Sequence, residues 1–279
     1  MLDLSSSHWD RALVEGLGAT VSHMPGGGSI ACFRAGPFRI AYPDFAIGSS
    51  DCNRDLDAVI HAAKDLRADM LRLQFPCACE DSRTRAVHPL GTIVIGDLQG
   101  WNERQREKPR RAANRERRSE LSIRKGVSGD GRRLYALYLA TVRRHGGAAR
   151  YTERYFKLIA PYASIVAEHE GAICGFVCVG FRGSRGYYLH GAHDPGTRGL
   201  YPSDQLFLAM LREARDAGLH SFDFLPTPLE QTSLSAYKHA WGGVDKPLVV
   251  SDVALNPWRA RGIAVAMRAE RVLHRLMSR

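Results

Sequence analysis

Residues 164–192 read SIVAEHEGAICGFVCVGFRGSRGYYLHGA, and this stretch decides the fold. Three apolar runs, Ser164–Glu168, Ala172–Phe181 and Tyr187–Ala192, are separated by turns at Gly171 and at Gly183 to Gly186. Runs of this length joined by tight glycine turns predict an antiparallel three-stranded meander. Alternation puts Ile173, Val177 and Val179 on one face of the middle strand and Cys174, Phe176 and Cys178 on the other. Both faces are apolar, so this strand is expected to be central and covered on both sides.

Upstream, helical spacing predicts two helices. The first carries Leu134, Leu137, Tyr138, Thr141 and Val142 and stops at Gly146-Gly147. The second has Thr152 as its cap, buries Tyr155, Phe156 and Ile159, and is expected to end at Pro161. Downstream, Ser203–Ala217 is predicted helical, Phe222–Leu225 a short strand, Leu234–Trp241 a short helix and Pro247–Val253 a last strand, before a basic carboxy-terminal helix. Nearer the amino terminus, Phe38–Tyr42, Met70–Phe75 and Thr92–Ile95 are expected strands, and Arg54–Arg67 an amphipathic helix. Pro25–Ser29 is glycine-rich but lacks the Lys-Ser/Thr of a phosphate-binding loop.

Composition narrows the function classes. With 279 residues, 44% hydrophobic and 24% charged, the chain has the make-up of a folded globular protein rather than a disordered one. No apolar run approaches the ~20 residues of a membrane span, and the first residues lack the pattern of a secretory signal. A reduced, cytoplasmic setting is the expectation, and six cysteines do not suggest a disulfide scaffold. Cys77-Ala-Cys79 has the wrong spacing for zinc, so no metal is expected.

The formal charge of +10 is concentrated in two segments. Residues 101–125 carry ten Lys/Arg against four acids, and residues 257–279 six Arg against one. The rest is close to neutral, which points to a polyanionic partner. Pro109 opens a helix in which Arg111, Arg115 and Arg118 share a face, with Arg110 and Arg117 on its flank. These five arginines are the candidate tRNA or pyrophosphate ligands. In the carboxy-terminal helix Arg268, Arg271 and Arg275 also align, and that helix is the candidate for a peripheral contact with an anionic membrane, at the inner membrane face.

Helices, a meander, a helix, a strand, a helix and a strand form the chain order of the GNAT acyltransferase fold. Phe222-Asp223-Phe224 followed by Leu234-Ser-Ala-Tyr237-Lys238-His-Ala-Trp241-Gly242 resembles the ending of Fem-type (FemAB-like) peptidyltransferases. Leu90–Ile95, Trp101, the basic helix 108–118 and Ile123–Gly126 are similar to that family as well. The resemblance implies an α/β (α+β) GNAT-like fold, a mixed and largely antiparallel sheet flanked by helices. It implies an abbreviated first GNAT-like half over 1–105, a basic helix and linker over 106–126 and a complete second half over 127–279, with substrates meeting between the halves. It also implies the reaction: an amine attacks an activated acyl carbonyl and an amide forms. The donor would be aminoacyl-tRNA as co-substrate, with no resident cofactor, and the acceptor a peptidoglycan precursor or a small peptidic or natural-product amine. An acyl-CoA N-acyltransferase and a non-catalytic basic binding module are the alternatives.

Amide formation passes through a tetrahedral oxyanion, which needs a positioned donor or cation. By the resemblance Lys238 is that cation. Asp223 is expected to face the cleft or to make a structural hydrogen bond. His190 and Asp194, at the end of the third meander strand, are candidates for handling the acceptor's proton. Tyr237, Trp241, Tyr188 and Tyr201 are the candidate substrate-binding aromatics. The turn Asp194-Pro-Gly-Thr-Arg-Gly199-Leu-Tyr-Pro202 departs from the glycine pattern that cradles a CoA pyrophosphate, and its prolines remove two amide donors. That departure disfavours acyl-CoA.

Overall fold

The computed structural model describes residues 1–24, 28–43, 56–227 and 231–266. In chain order it runs β1 (Leu2–Asp3), α1 (Ser7–Arg11), a π-helical turn (Ala12–Gly16), β2 (Thr20–His23), β3 (Ser29–Ala35), β4 (Phe38–Pro43), α2 (Leu56–Asp65), β5 (Met70–Phe75), β6 (Thr84–Pro89) and β7 (Thr92–Ile95). Then come α3 (Glu107–Glu116), β8 (Ser122–Lys125), α4 (Gly131–Arg144), α5 (Glu153–Ala163), β9 (Ser164–His169), β10 (Ala172–Arg182) and β11 (Arg185–His193). The rest is a 3₁₀ segment (Pro195–Leu200), α6 (Pro202–Asp216), β12 (Ser221–Asp223), α7 (Thr232–Ala240), β13 (Val244–Lys246) and β14 (Val249–Ala254). A helix follows over 257–266, and Arg268, Arg271 and Arg275 lie outside the described residues.

The chain divides into two compact units, neither of them a continuous stretch: Met1–Ala12 with Gly91–Lys246, and Leu13–Leu90 with Pro247–Arg279. The sequence reading cut the chain at 105 and 126 instead. The interleaving has a pairing cause, because β14 lies between β5 and β6, more than 150 residues upstream. The second unit's sheet has the order β2-β3-β4-β5-β14-β6, all antiparallel except β4 with β5. Its core gathers Ile30, Val59, Ile60, Leu71, Leu73 and Val253, with α2 laid on the sheet.

The first unit's sheet has the order β13-β7-β12-β11-β10-β9-β8, with β1 parallel to β10. The expected meander is β9-β10-β11. Together the two mostly antiparallel sheets and their helices make a mixed α/β, GNAT-like architecture. Leu206, Phe207, Met210, Leu211 and Ala214 of α6 pack against Val177 and Val179 of β10. Each large side chain so buried contributes roughly 1.5–3 kcal/mol, which makes this layer the main hydrophobic support of the sheet.

Two irregularities shift what simple alternation predicts. The β10–β9 register slips between Ile173 and Gly175, so Cys174 joins Val177 and Val179 in the α6-side core rather than facing away with Phe176. A second slip places Cys178 opposite His190 but Val179 opposite Tyr188, leaving Leu189 as the extra residue. Tyr188 and His190 would share a face in a regular strand; after the bulge Tyr188 meets Phe207 of α6 and His190 meets Phe156 of α5. Helix α5 also runs past its expected stop, with Pro161 inside its last turn. Thr152 Oγ1 caps its start by accepting from the Tyr155 amide.

Candidate functional site

β11 and β12 run parallel but pair only over Arg185–Tyr187 and Ser221–Asp223. Beyond that point β11 continues to His193, while the chain after β12 turns away at Leu225, whose φ of 59° is left-handed. A branched side chain is strained there, and the turn persists because its neighbours hold it. Asp223 Oδ1 accepts from the Leu225 amide (2.8 Å) and from Thr92 Oγ1 of β7 (2.6 Å). Lys238 Nζ donates to the Leu225 carbonyl (2.8 Å) and to Thr227 Oγ1 (2.6 Å). Asp223 therefore makes the structural hydrogen bond that was one of its two expected readings, and burial raises its pKa.

Lys238 is only 2% exposed. Burial lowers its pKa to about 8, with Asp223 pulling in the opposite direction, so it still carries its charge near neutrality. Two of its three ammonium donors are occupied by its own chain and one remains. Beside it a buried aromatic cluster packs around Phe207, which meets Tyr188 (5.2 Å between centroids), Phe224 (5.8 Å), Tyr237 (4.9 Å) and Trp241 (5.6 Å). Trp241 is fully buried and its carbonyl accepts from Trp101 Nε1, which makes it a core residue. Gly191 lets the Tyr188 hydroxyl lie against the strand; a Cβ there would collide with it.

His190 lies in a different aromatic cluster. Its ring lies among Tyr138, Tyr151, Tyr155 and Phe156, with Nε2 2.9 Å from the Tyr155 hydroxyl. Burial pushes its pKa down to about 3, so the ring is neutral and a weak proton acceptor near pH 7. Asp194 caps the 3₁₀ segment by accepting from the Gly196 amide and sits 3.5 Å from Arg133. Neither residue approaches Lys238 in any interaction recorded among the described residues.

A cavity of about 730 Å³ lies beneath α3, beside the start of α6. Arg111, Arg115, Arg117 and Arg118 line it, with Tyr201 and Gln205. Helix α3 starts at Glu107, before Pro109, and ends at Glu116, so Arg111 and Arg115 reach the wall from the helix, Arg117 and Arg118 reach it from the turn that follows, and Arg110 is not on it. Arg115 is already engaged: it donates to Asp204 Oδ2 (2.9 Å) and its guanidinium lies 3.8 Å over the Tyr201 ring. Asp204 also receives Lys108 (2.7 Å) and the Tyr237 hydroxyl (3.0 Å). This buried carboxylate, which sequence reasoning missed, ties α3, α6 and α7 together. The amides of Gly196, Thr197 and Tyr201 are occupied within the turn, by Asp194 and by the Arg198 carbonyl.

Residues 103–239, just under half of the chain, match the family model of the acetyltransferase (GNAT) domain. That segment is similar to the GNAT domain family. FemX superposes with a TM-score of 0.63 at 14% identity over 93% of this chain and 94% of that one. A C-terminal domain assigned to a lysylphosphatidylglycerol synthetase of Agrobacterium fabrum gives 0.60 at 17%, over 92% and 91%. L-PGS from Bacillus licheniformis gives 0.59 at 16%, over 90% and 93%. At these identities the likeness is one of fold. Among curated proteins none matches the sequence. The likeness is therefore to a GNAT-type acyltransferase fold. Among the described residues no cluster of His, Cys, Asp or Glu could hold a metal, and no helix is long and apolar enough to cross a membrane.

Proposed function

We propose that the chain transfers an aminoacyl group from aminoacyl-tRNA to an amine, on a peptidoglycan precursor or a small peptidic acceptor, forming an amide. The acceptor nitrogen's lone pair attacks the ester carbonyl, the carbonyl oxygen becomes an oxyanion, and the ribose hydroxyl leaves with the proton the amine gives up. Lys238, with one ammonium donor unoccupied, is the cation for that oxyanion. His190 is too weak a base at neutral pH to take the proton, so the amine enters uncharged in this reading. The observation that carries the reading is the cavity under α3, where arginines converge while the amides of Gly196, Thr197 and Tyr201 in the neighbouring turn are already engaged. Arginine side chains suit an RNA backbone, whereas a CoA pyrophosphate is held by free backbone amides.

The test is a donor assay with the full chain, an amine-containing small-molecule extract, and either labelled aminoacyl-tRNA or labelled acetyl-CoA. Label moving from tRNA into an amide is the expected result. Label taken only from acetyl-CoA, or ester loss no faster than without protein, would overturn it.

A further inference from the structure

The cavity holds a group that the charge pattern does not explain. Gln205, on the first turns of α6, is 2% exposed and lines the cavity. Its amide nitrogen donates to Ser119 Oγ, yet its carbonyl oxygen Oε1 has no hydrogen-bond partner. A buried acceptor left unpaired costs on the order of 1–3 kcal/mol, a cost that a ligand's O–H or N–H would remove. Phosphate has no such hydrogen when fully ionised, so the arginines and Gln205 ask for different parts of one molecule. Tyr201 supplies a third element. It is 46% exposed, is fixed in a left-handed conformation (φ 57°), and carries Arg115 against its ring. A flat, half-exposed aromatic beside cations is the usual platform for a nucleobase. Glu120, an acid on the wall, is 3.3 Å from His169 and leaves the arginines in excess.

We propose that this cavity is a nucleotide subsite. Arg117 and Arg118, with Arg111 at the edge, take the phosphate; Gln205 Oε1 accepts from a ribose hydroxyl or a base amino group; and Tyr201 stacks on the base. The volume, about 730 Å³, is ample for one nucleotide. As a site for a phosphorylated nucleoside the proposal stands on the cavity alone. Its place in catalysis rests on the tRNA-dependent reading above, the nucleotide then being one residue of the donor RNA.

The experiment is calorimetric titration of the full chain with 5′-AMP, 5′-CMP, adenosine and inorganic phosphate, without donor or acceptor. A mononucleotide is expected to bind at least tenfold more tightly than adenosine or phosphate. Gln205→Leu should weaken the mononucleotide about tenfold and leave phosphate unchanged, whereas Arg118→Ala should weaken both. Arg118 is exposed, so its variant keeps the fold if Gln205→Leu does not. Mononucleotide binding no tighter than phosphate, or unaffected by Arg118→Ala, would overturn the proposal. A protein that binds AMP this way yet leaves aminoacyl-tRNA untouched keeps the subsite and loses the tRNA reading. One that consumes aminoacyl-tRNA without binding a mononucleotide does the reverse.

Discussion

Lys238 and Arg118 are cations of the same unit put to opposite uses. Lys238 is enclosed and donates to the Leu225 carbonyl and Thr227 hydroxyl of the strained turn after β12. Arg118 is exposed on the wall of a cavity. Arg115 stands between them, lining that cavity while bonded to Asp204. Charge in a sequence is therefore not the same as charge available to a ligand. Where the chain itself supplies the acceptors, a cation belongs first to the fold.

That contrast breaks most readily at Lys238. Lys238→Ala strands one buried and one part-buried acceptor beside a left-handed leucine and should cost roughly 2–3 kcal/mol in urea unfolding. Arg118→Ala should stay within about 0.5 kcal/mol of wild type. Equal stability of the two variants would erase the distinction.

His190 sharpens it from the neutral side. Its folded pKa of about 3 lies below the unfolded value of 6.5, so between those values the unfolded chain binds the extra proton. Stability is then lost as pH falls from about 6.5, reaching roughly 2 kcal/mol by pH 5. His190→Phe should lack that part of the acid loss, whatever its stability at pH 7. A variant with the wild-type acid slope would place the ring in water.

The same logic applied to Lys238 gives a smaller effect. Its pKa falls from 10.5 unfolded to about 8 folded, so the unfolded state holds the proton longer and stability rises with pH above 8. The gain from pH 8 to 9 is about 1 kcal/mol, and Lys238→Met should flatten it. The smallest stability change belongs to the triple variant Arg111→Ala, Arg117→Ala and Arg118→Ala. Its effect appears instead in tRNA binding, which should lose about two units of slope in log affinity against log salt.

The meander and its helices were legible because glycine turns and strong periodicity are local signals. The bulges were not. A one-residue slip reverses every face beyond it, which is how Cys174 changed sides and how Tyr188 and His190 came to part. β1 is two residues long and finds its partner about 180 residues away, and β6 is mostly exposed and polar, so neither shows an apolar pattern. At the cavity the i, i+4 spacing of Arg111 and Arg115 was legible, but Arg117 and Arg118 reach the wall from the turn beyond α3, where a helical face no longer applies. Asp204 and Gln205 stayed hidden, since their partners lie 33 to 96 residues away and only the fold assembles them.

The most direct measurement is the rate at which label passes from aminoacyl-tRNA to an amine at physiological salt, for the wild type and for the Arg111, Arg117 and Arg118 triple alanine variant. The account predicts transfer by the wild type and at least a tenfold lower rate for the variant, with unfolding curves that coincide. Equal rates, or transfer by either protein from acetyl-CoA alone, would contradict it.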